Sequence, residues 1–195
     1  GSTKAQLPAN LTLPLGSMDA TPLEVASAFA VFSNGGFRIE PYYIDRIEGP
    51  GGQILYTSQP KVVCAECEQP IRSVSDAERA KNKEVSPTFL PPAPLTAGAR
   101  RTLPAERVIA PQVSFIMNDI MKDVITRGTG RRALALGRSD LRGKTGTTNS
   151  SVDTWFNGFN DHLVASVWVG HDDNTPLGEL EEGARTAVPI WVDYM

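Results

Sequence analysis

The sequence predicts an α+β fold, an antiparallel β-meander over about residues 140–170 packed with helices. Three observations predict it. The last third carries three β-prone runs, Asp140–Thr148, Thr154–Asn160 and Leu163–Gly170, joined by short turns. Thr21-Pro22-Leu23-Glu24 reads as a helix start, with Thr21 as N-cap, Pro22 at the first helical position and Glu24 closing a capping box. Pro111 opens a second helical run.

Taken in order, residues 1–20 read as a loop. Leu23, Ala26, Phe29, Ala30 and Phe32 then keep helical spacing until Asn34-Gly35-Gly36 ends the helix. Gly49-Pro50-Gly51-Gly52 between Tyr42–Ile47 and Gln53–Tyr56 predicts a hairpin. Residues 57–105 hold Pro60, Pro70, Pro87, Pro91, Pro92, Pro94 and Pro104 with little periodicity, and read as a loop excursion. In the helix from Pro111, Val113, Ile116, Met117, Ile120 and Val124 share one face and are expected to pack in the core. Arg127-Gly128-Thr129-Gly130-Arg131 lacks the spacing of a phosphate loop and reads as a structural turn into a short helix, Arg132–Leu136. Pro189–Met195 begins like a helix.

The composition excludes several function classes. A 195-residue chain that is 41% hydrophobic and 21% charged suits a soluble globular domain, or part of a larger one. Its net charge of −3 gives no footprint for nucleic acid. No apolar run approaches the roughly 18 residues of a spanning helix. Cys64 and Cys67 form a lone C-x-x-C bracketed by Pro60 and Pro70. The two other ligands a zinc site needs would have to be His162 and His171, whose separation exceeds the usual three to five or so residues. The pair reads first as a local disulfide in an oxidising compartment, with free thiols and metal ligation as weaker readings.

The chemistry concentrates in Gly143-Lys144-Thr145-Gly146-Thr147-Thr148-Asn149-Ser150. This basic residue, these hydroxyls and this Gly on a predicted strand resemble the Lys-Thr-Gly strand of the serine acyl-enzyme penicillin-binding proteins. The resemblance implies a site for a peptide with a free C-terminal carboxylate, which needs a nucleophile, a proton acceptor, oxyanion donors and groups that hold the carboxylate. Lys144 supplies positive potential. Thr145 and Thr147, two residues apart, offer hydroxyls on one side of a strand. Gly146 lets a substrate backbone lie along the strand edge, and the Thr147 N–H can serve as an oxyanion donor. The candidate site is thus Lys144 and Thr147 in catalysis, with Thr145, Gly146 and Thr148 binding substrate. It calls for no cofactor and no metal.

Several segments together resemble the C-terminal part of the transpeptidase domain of class A penicillin-binding proteins, of the 1A type of Gram-negative bacteria. They are Leu13-Pro14-Leu15-Gly16 running into Thr21–Ala26, Ala30–Phe37, Pro60–Cys67, the Arg127–Gly130 turn, Gly143–Asn149, Trp155–Phe159 and Val167–Gly170. The resemblance implies a partial serine transpeptidase fold, in which a five-stranded antiparallel sheet is flanked by helices. It also implies cross-linking of peptidoglycan stem peptides at a D-Ala-D-Ala bond and acylation by β-lactam antibiotics. A glycosyltransferase domain and a membrane anchor would lie upstream, at the periplasmic face of the inner membrane. The implied partners are the upstream part of the same domain and an outer-membrane lipoprotein activator.

One departure shapes the reading. The family's Ser-x-x-Lys nucleophile and Ser-x-Asn motif lie N-terminal to everything in this chain, and no Ser-x-Asn occurs here. Ser58-Gln59-Pro60-Lys61 matches the first string, but it follows a hairpin and offers no helix face on which Ser and Lys could meet. The chain is therefore expected to be inactive alone, as one part of a domain whose nucleophile lies elsewhere. A non-catalytic module binding peptidoglycan peptides and a serine β-lactamase relative are the alternatives.

Overall fold

The computed structural model describes residues 19–64 and 103–195. The chain divides into two compact units, one of residues 1–41 with 106–195 and one of residues 42–105.

In the first unit, helix α1 (Pro22–Ser33) starts as its sequence requires. The Thr21 hydroxyl accepts from the Glu24 N–H at 3.3 Å, and the Glu24 carboxylate accepts from the Thr21 N–H at 3.0 Å. Asn34 caps its end, and Gly36, at φ +110°, turns the chain into β1 (Phe37–Arg38). A Cβ at Gly36 would stand 2.3 Å from the Ile109 carbonyl oxygen, so this corner needs glycine. β1 pairs antiparallel with β6 (Glu106–Arg107). The Arg107 guanidinium caps the Phe37 ring at 4.0 Å.

Helix α2 (Pro111–Thr126) follows. Three antiparallel strands then form a sheet in the order β7-β8-β9: β7 (Arg142–Thr147), β8 (Asp153–Phe159) and β9 (Val164–Gly170). Helix α3 (Ala187–Tyr194) closes the unit. The meander and its order match the expectation, with ends shifted by a residue or two. Between α2 and β7, Arg131–Leu136 forms a short 3₁₀ helix that Gly137 ends in the left-handed region, at φ +65°.

The core of this unit gathers Ile125, Ala133, Leu141, Phe156, Ala187, Val188 and Trp191. Phe156 meets Trp191 edge-on with ring centroids 5.1 Å apart, and the Trp191 indole N–H donates to the Ala165 carbonyl at 3.1 Å. On the opposite face of the sheet, Phe159 packs on Phe29 of α1. Each such fully buried large apolar side chain contributes about 1.5–3 kcal/mol.

One expectation is corrected here. The α2 residues that are buried are Ser114, Met121 and Ile125, whereas Val113, Ile116 and Ile120 are half exposed. The predicted stripe is real as a pattern. The sheet, however, takes the neighbouring face of the helix, because Ile125 sits over Phe156 where Gly130 leaves room for both.

In the second unit, β2 (Arg46–Glu48) and β3 (Ile54–Thr57) form the expected hairpin, with a register shift at Ile47/Glu48. β4 (Lys61–Val62) runs parallel to β5 (Leu103–Pro104). The excursion's residues 65–102, Cys67 among them, lie outside the described residues. Cys64 is disulfide-bonded. Among the described residues no helix is long and apolar enough to cross a membrane.

Candidate active site

Strand alternation sets the site's geometry. Along β7, Lys144 stands opposite Asn157, Thr145 opposite Phe156, Gly146 opposite Trp155 and Thr147 opposite Thr154. Lys144 and Gly146 thus belong to one face of the sheet, and Thr145 and Thr147 to the other. The Thr148 N–H donates to the Asp153 carbonyl at 3.0 Å. Because successive N–H groups of a strand point to opposite sides, that of Thr147 points away from β8. Among the described strands β7 has no other neighbour. A backbone donor at Thr147 is thus aimed off the sheet edge.

Each side chain has a definite place. Lys144 is exposed, and its ammonium donates to the Thr145 carbonyl at 2.8 Å. Thr145 is half-buried, with its hydroxyl 2.6 Å from that of Thr129. The exposed Thr147 accepts, on its hydroxyl, the Gly183 N–H at 3.1 Å. Thr148 differs: its hydroxyl accepts the Asp153 N–H at 2.8 Å, so it is engaged in closing the turn.

That turn is held firmly. Ser150 and Ser151 have φ of 61° and 50°, which β-carbon crowding disfavours. The Ser151 N–H donates to Thr148 at 3.1 Å and its carbonyl accepts from Leu177 at 3.0 Å, which fixes the strained backbone. Behind the turn, Asp153 accepts the Trp168 indole N–H at 2.7 Å, and Trp168 packs beside Trp155. Phe156 is fully buried, as a core residue beneath β7 should be.

Thr129 is the residue that motif reading passed over. Its turn bonds tightly to the end of α2, the Gly130 N–H donating to the Val124 carbonyl at 2.9 Å. A Cβ at Gly128 would lie 2.8 Å from the Val124 Cα, and one at Gly130 would lie 2.9 Å from the Ile125 side chain. The two glycines thus let the turn press onto the helix and present Thr129 to β7. The Gly-Thr-Gly string itself was the available signal. Ser58 stands otherwise. It is buried in the second unit, with its hydroxyl 3.4 Å from the Asp45 carboxylate, on a loop between β3 and β4.

Comparison with known proteins identifies the family. The family described as penicillin binding protein transpeptidase domain matches residues 1–187. Penicillin-binding protein 1A of Pseudomonas aeruginosa is 45% identical over 203 residues, covering 100% of this chain and 25% of that protein. The protein of the same name from Neisseria cinerea is 38% identical, covering 100% of this chain and 20% of its own length. The crystal structure of penicillin-binding protein 1A from Haemophilus influenzae superposes with a TM-score of 0.77 at 37% identity, covering 99% of this chain and 28% of that one. The chain thus spans about a quarter of the length of these relatives, and it belongs to the penicillin-binding protein transpeptidase domain family.

Proposed function

We propose that this chain supplies the substrate strand of a peptidoglycan D,D-transpeptidase that works through a serine acyl-enzyme at D-Ala-D-Ala and is acylated by β-lactams. The observation that carries the reading is the edge of β7. There an ammonium, two hydroxyls and an outward N–H belong to four consecutive residues, Lys144 to Thr147.

In this reading the stem peptide lies along β7 as an added strand, with Gly146 allowing its close approach. The Thr145 and Thr147 hydroxyls donate to the terminal carboxylate, each bond to a charged group contributing about 1.5–3 kcal/mol. The Thr147 N–H faces the scissile carbonyl and stabilises the oxyanion as it forms, a role whose loss typically costs about 10²–10³ in rate. Lys144 holds positive potential over the carboxylate and the nucleophile. Thr148 sets the turn that ends the strand. The nucleophilic serine comes from the upstream part of the same domain, and the buried Ser58 takes no part. A disulfide at Cys64 supports placement on the periplasmic side of the inner membrane, an oxidising compartment.

The test is to incubate the chain, alone and together with the upstream part of its domain, with a fluorescent penicillin, and to read adducts by intact mass. The expected result is an adduct on the upstream part only, abolished by Lys144→Ala in this chain. An adduct on the isolated chain would return the nucleophile to Ser58. A properly assembled pair that never labels would favour the peptide-binding module.

A further inference from the structure

The Thr147 hydroxyl has a fixed partner from far along the chain. The Gly183 N–H donates to its oxygen at 3.1 Å, across a separation of 36 positions. A hydroxyl carries one proton and two acceptor lone pairs. With Gly183 on one lone pair, the proton turns away from it and is left for another acceptor. A donor on the oxygen also strengthens the donation the hydroxyl makes in turn, by about 10–30% in a hydrogen-bonded chain.

Gly183 can take this place only without a side chain. A Cβ there would stand 2.4 Å from the Trp155 carbonyl oxygen and 2.7 Å from the Gly146 carbonyl oxygen. Both are backbone atoms of paired strands and cannot swing aside. The segment that carries Gly183 is itself tied down. Its carbonyl accepts the Val188 N–H at 2.9 Å, and the Arg185 and Thr186 N–H groups both donate to Glu182 at 2.9 Å. The Thr186 hydroxyl bonds the Glu181 carboxylate. Val188 is fully buried, and α3 is anchored by Trp191 in the core. The Gly183 N–H is therefore presented by packed structure, as a preorganised donor requires.

We propose that Gly183 is a positioning residue whose N–H sets the Thr147 hydroxyl as a donor toward the ligand carboxylate. The preference for a carboxylate over a neutral group is thus set in part by the segment ahead of α3, outside the Lys-Thr-Gly strand. This rests on the reading of β7 as the substrate strand and names what gives that strand its selectivity.

The test uses the full-length protein that carries this chain. Gly183 is replaced by glycolate, which exchanges the N–H for an ester oxygen and adds no Cβ, so the clash expected of Gly183→Ala is avoided. Acylation rates are measured with a penicillin and with its methyl ester, and their ratio reports carboxylate preference. The ratio is expected to fall about fivefold, the factor of one ordinary hydrogen bond. Thr147→Val should lower it at least as far, and the glycolate exchange should then add nothing. Thr147→Ser, which keeps the hydroxyl, should restore the ratio. An unchanged ratio, an equal loss with both probes, or a further loss in the Thr147→Val background overturns the proposal. If the unaltered protein is acylated by neither probe, the substrate-strand reading itself fails and the proposal goes with it.

Discussion

The hydroxyls of Thr129 and Thr145 lie 2.6 Å apart, joining the turn after α2 to the middle of β7. One of them must donate and the other accept. If Thr129 donates, the Thr145 proton is free for a ligand. Thr129→Val removes that donor and is expected to slow acylation by a carboxylate-bearing penicillin about five- to tenfold in the assembled domain, the effect of one ordinary hydrogen bond. Thr129→Ser should recover most of the rate. Stopped-flow acylation of the three proteins decides it, and equal rates for valine and threonine would show the contact to be idle.

Trp191 is fully buried against Phe156, and its indole bonds the Ala165 carbonyl. Trp191→Ala should therefore destabilise the domain by about 3–5 kcal/mol. Gly158→Ala reaches the same place from the other side, since its Cβ would stand 2.5 Å from the indole. It should cost about 1–3 kcal/mol by overpacking. Urea unfolding of both variants checks the pair. A near-neutral Gly158→Ala would mean that the indole can shift.

The α1 cap gives a pH dependence with a definite sign. Hydrogen bonds from the Thr21 N–H and then its hydroxyl hold the Glu24 carboxyl below its ordinary range. A lowered folded-state value contributes stability that is present above the unfolded value and is lost as pH falls through the folded one. Glu24→Gln should melt below wild type at neutral pH, and the gap should shrink on acidification through that window. A gap that stays constant down to low pH would refute this account.

The half-exposed Val113, Ile116 and Ile120 of α2 lie on one helical face. If the upstream part of the domain covers them, Ile116→Lys should leave the melting of this chain alone within about 0.5 kcal/mol, as a surface change does. The same substitution should sharply weaken co-purification with the upstream part. Undiminished association would place that part elsewhere.

How legible each feature was follows from the range of the interactions that make it. The capping box was plain, because Thr21 and Glu24 satisfy each other three residues apart. The meander was plain too, since a two-residue period and short turns leave little choice of pairing. The covered face of α2 was not. Periodicity marks Val113, Ile116 and Ile120 as a stripe, but which stripe meets the sheet depends on Ile125 finding Phe156, a contact between distant segments. Lys144 to Thr147 could be read as a string, whereas their supports could not. Thr129 reaches β7 across 16 positions and Gly183 across 36, and nothing local to β7 announces either.

Those two supports have a thermodynamic consequence. The hydroxyls that would grip a ligand also staple β7 to the turn after α2 and to the segment before α3. Their geometry exists only when three stretches of chain are in register, so a ligand held there recognises the folded state and ignores the unfolded one. Occupancy then acts as a restoring force on folding, amounting to about 2.7 kcal/mol at a free concentration one hundred times Kd. By this linkage a non-acylating carboxylate ligand would serve as a folding chaperone for weakened variants of the domain. The variants it rescues best would be those damaged in core packing, because they leave the staples intact.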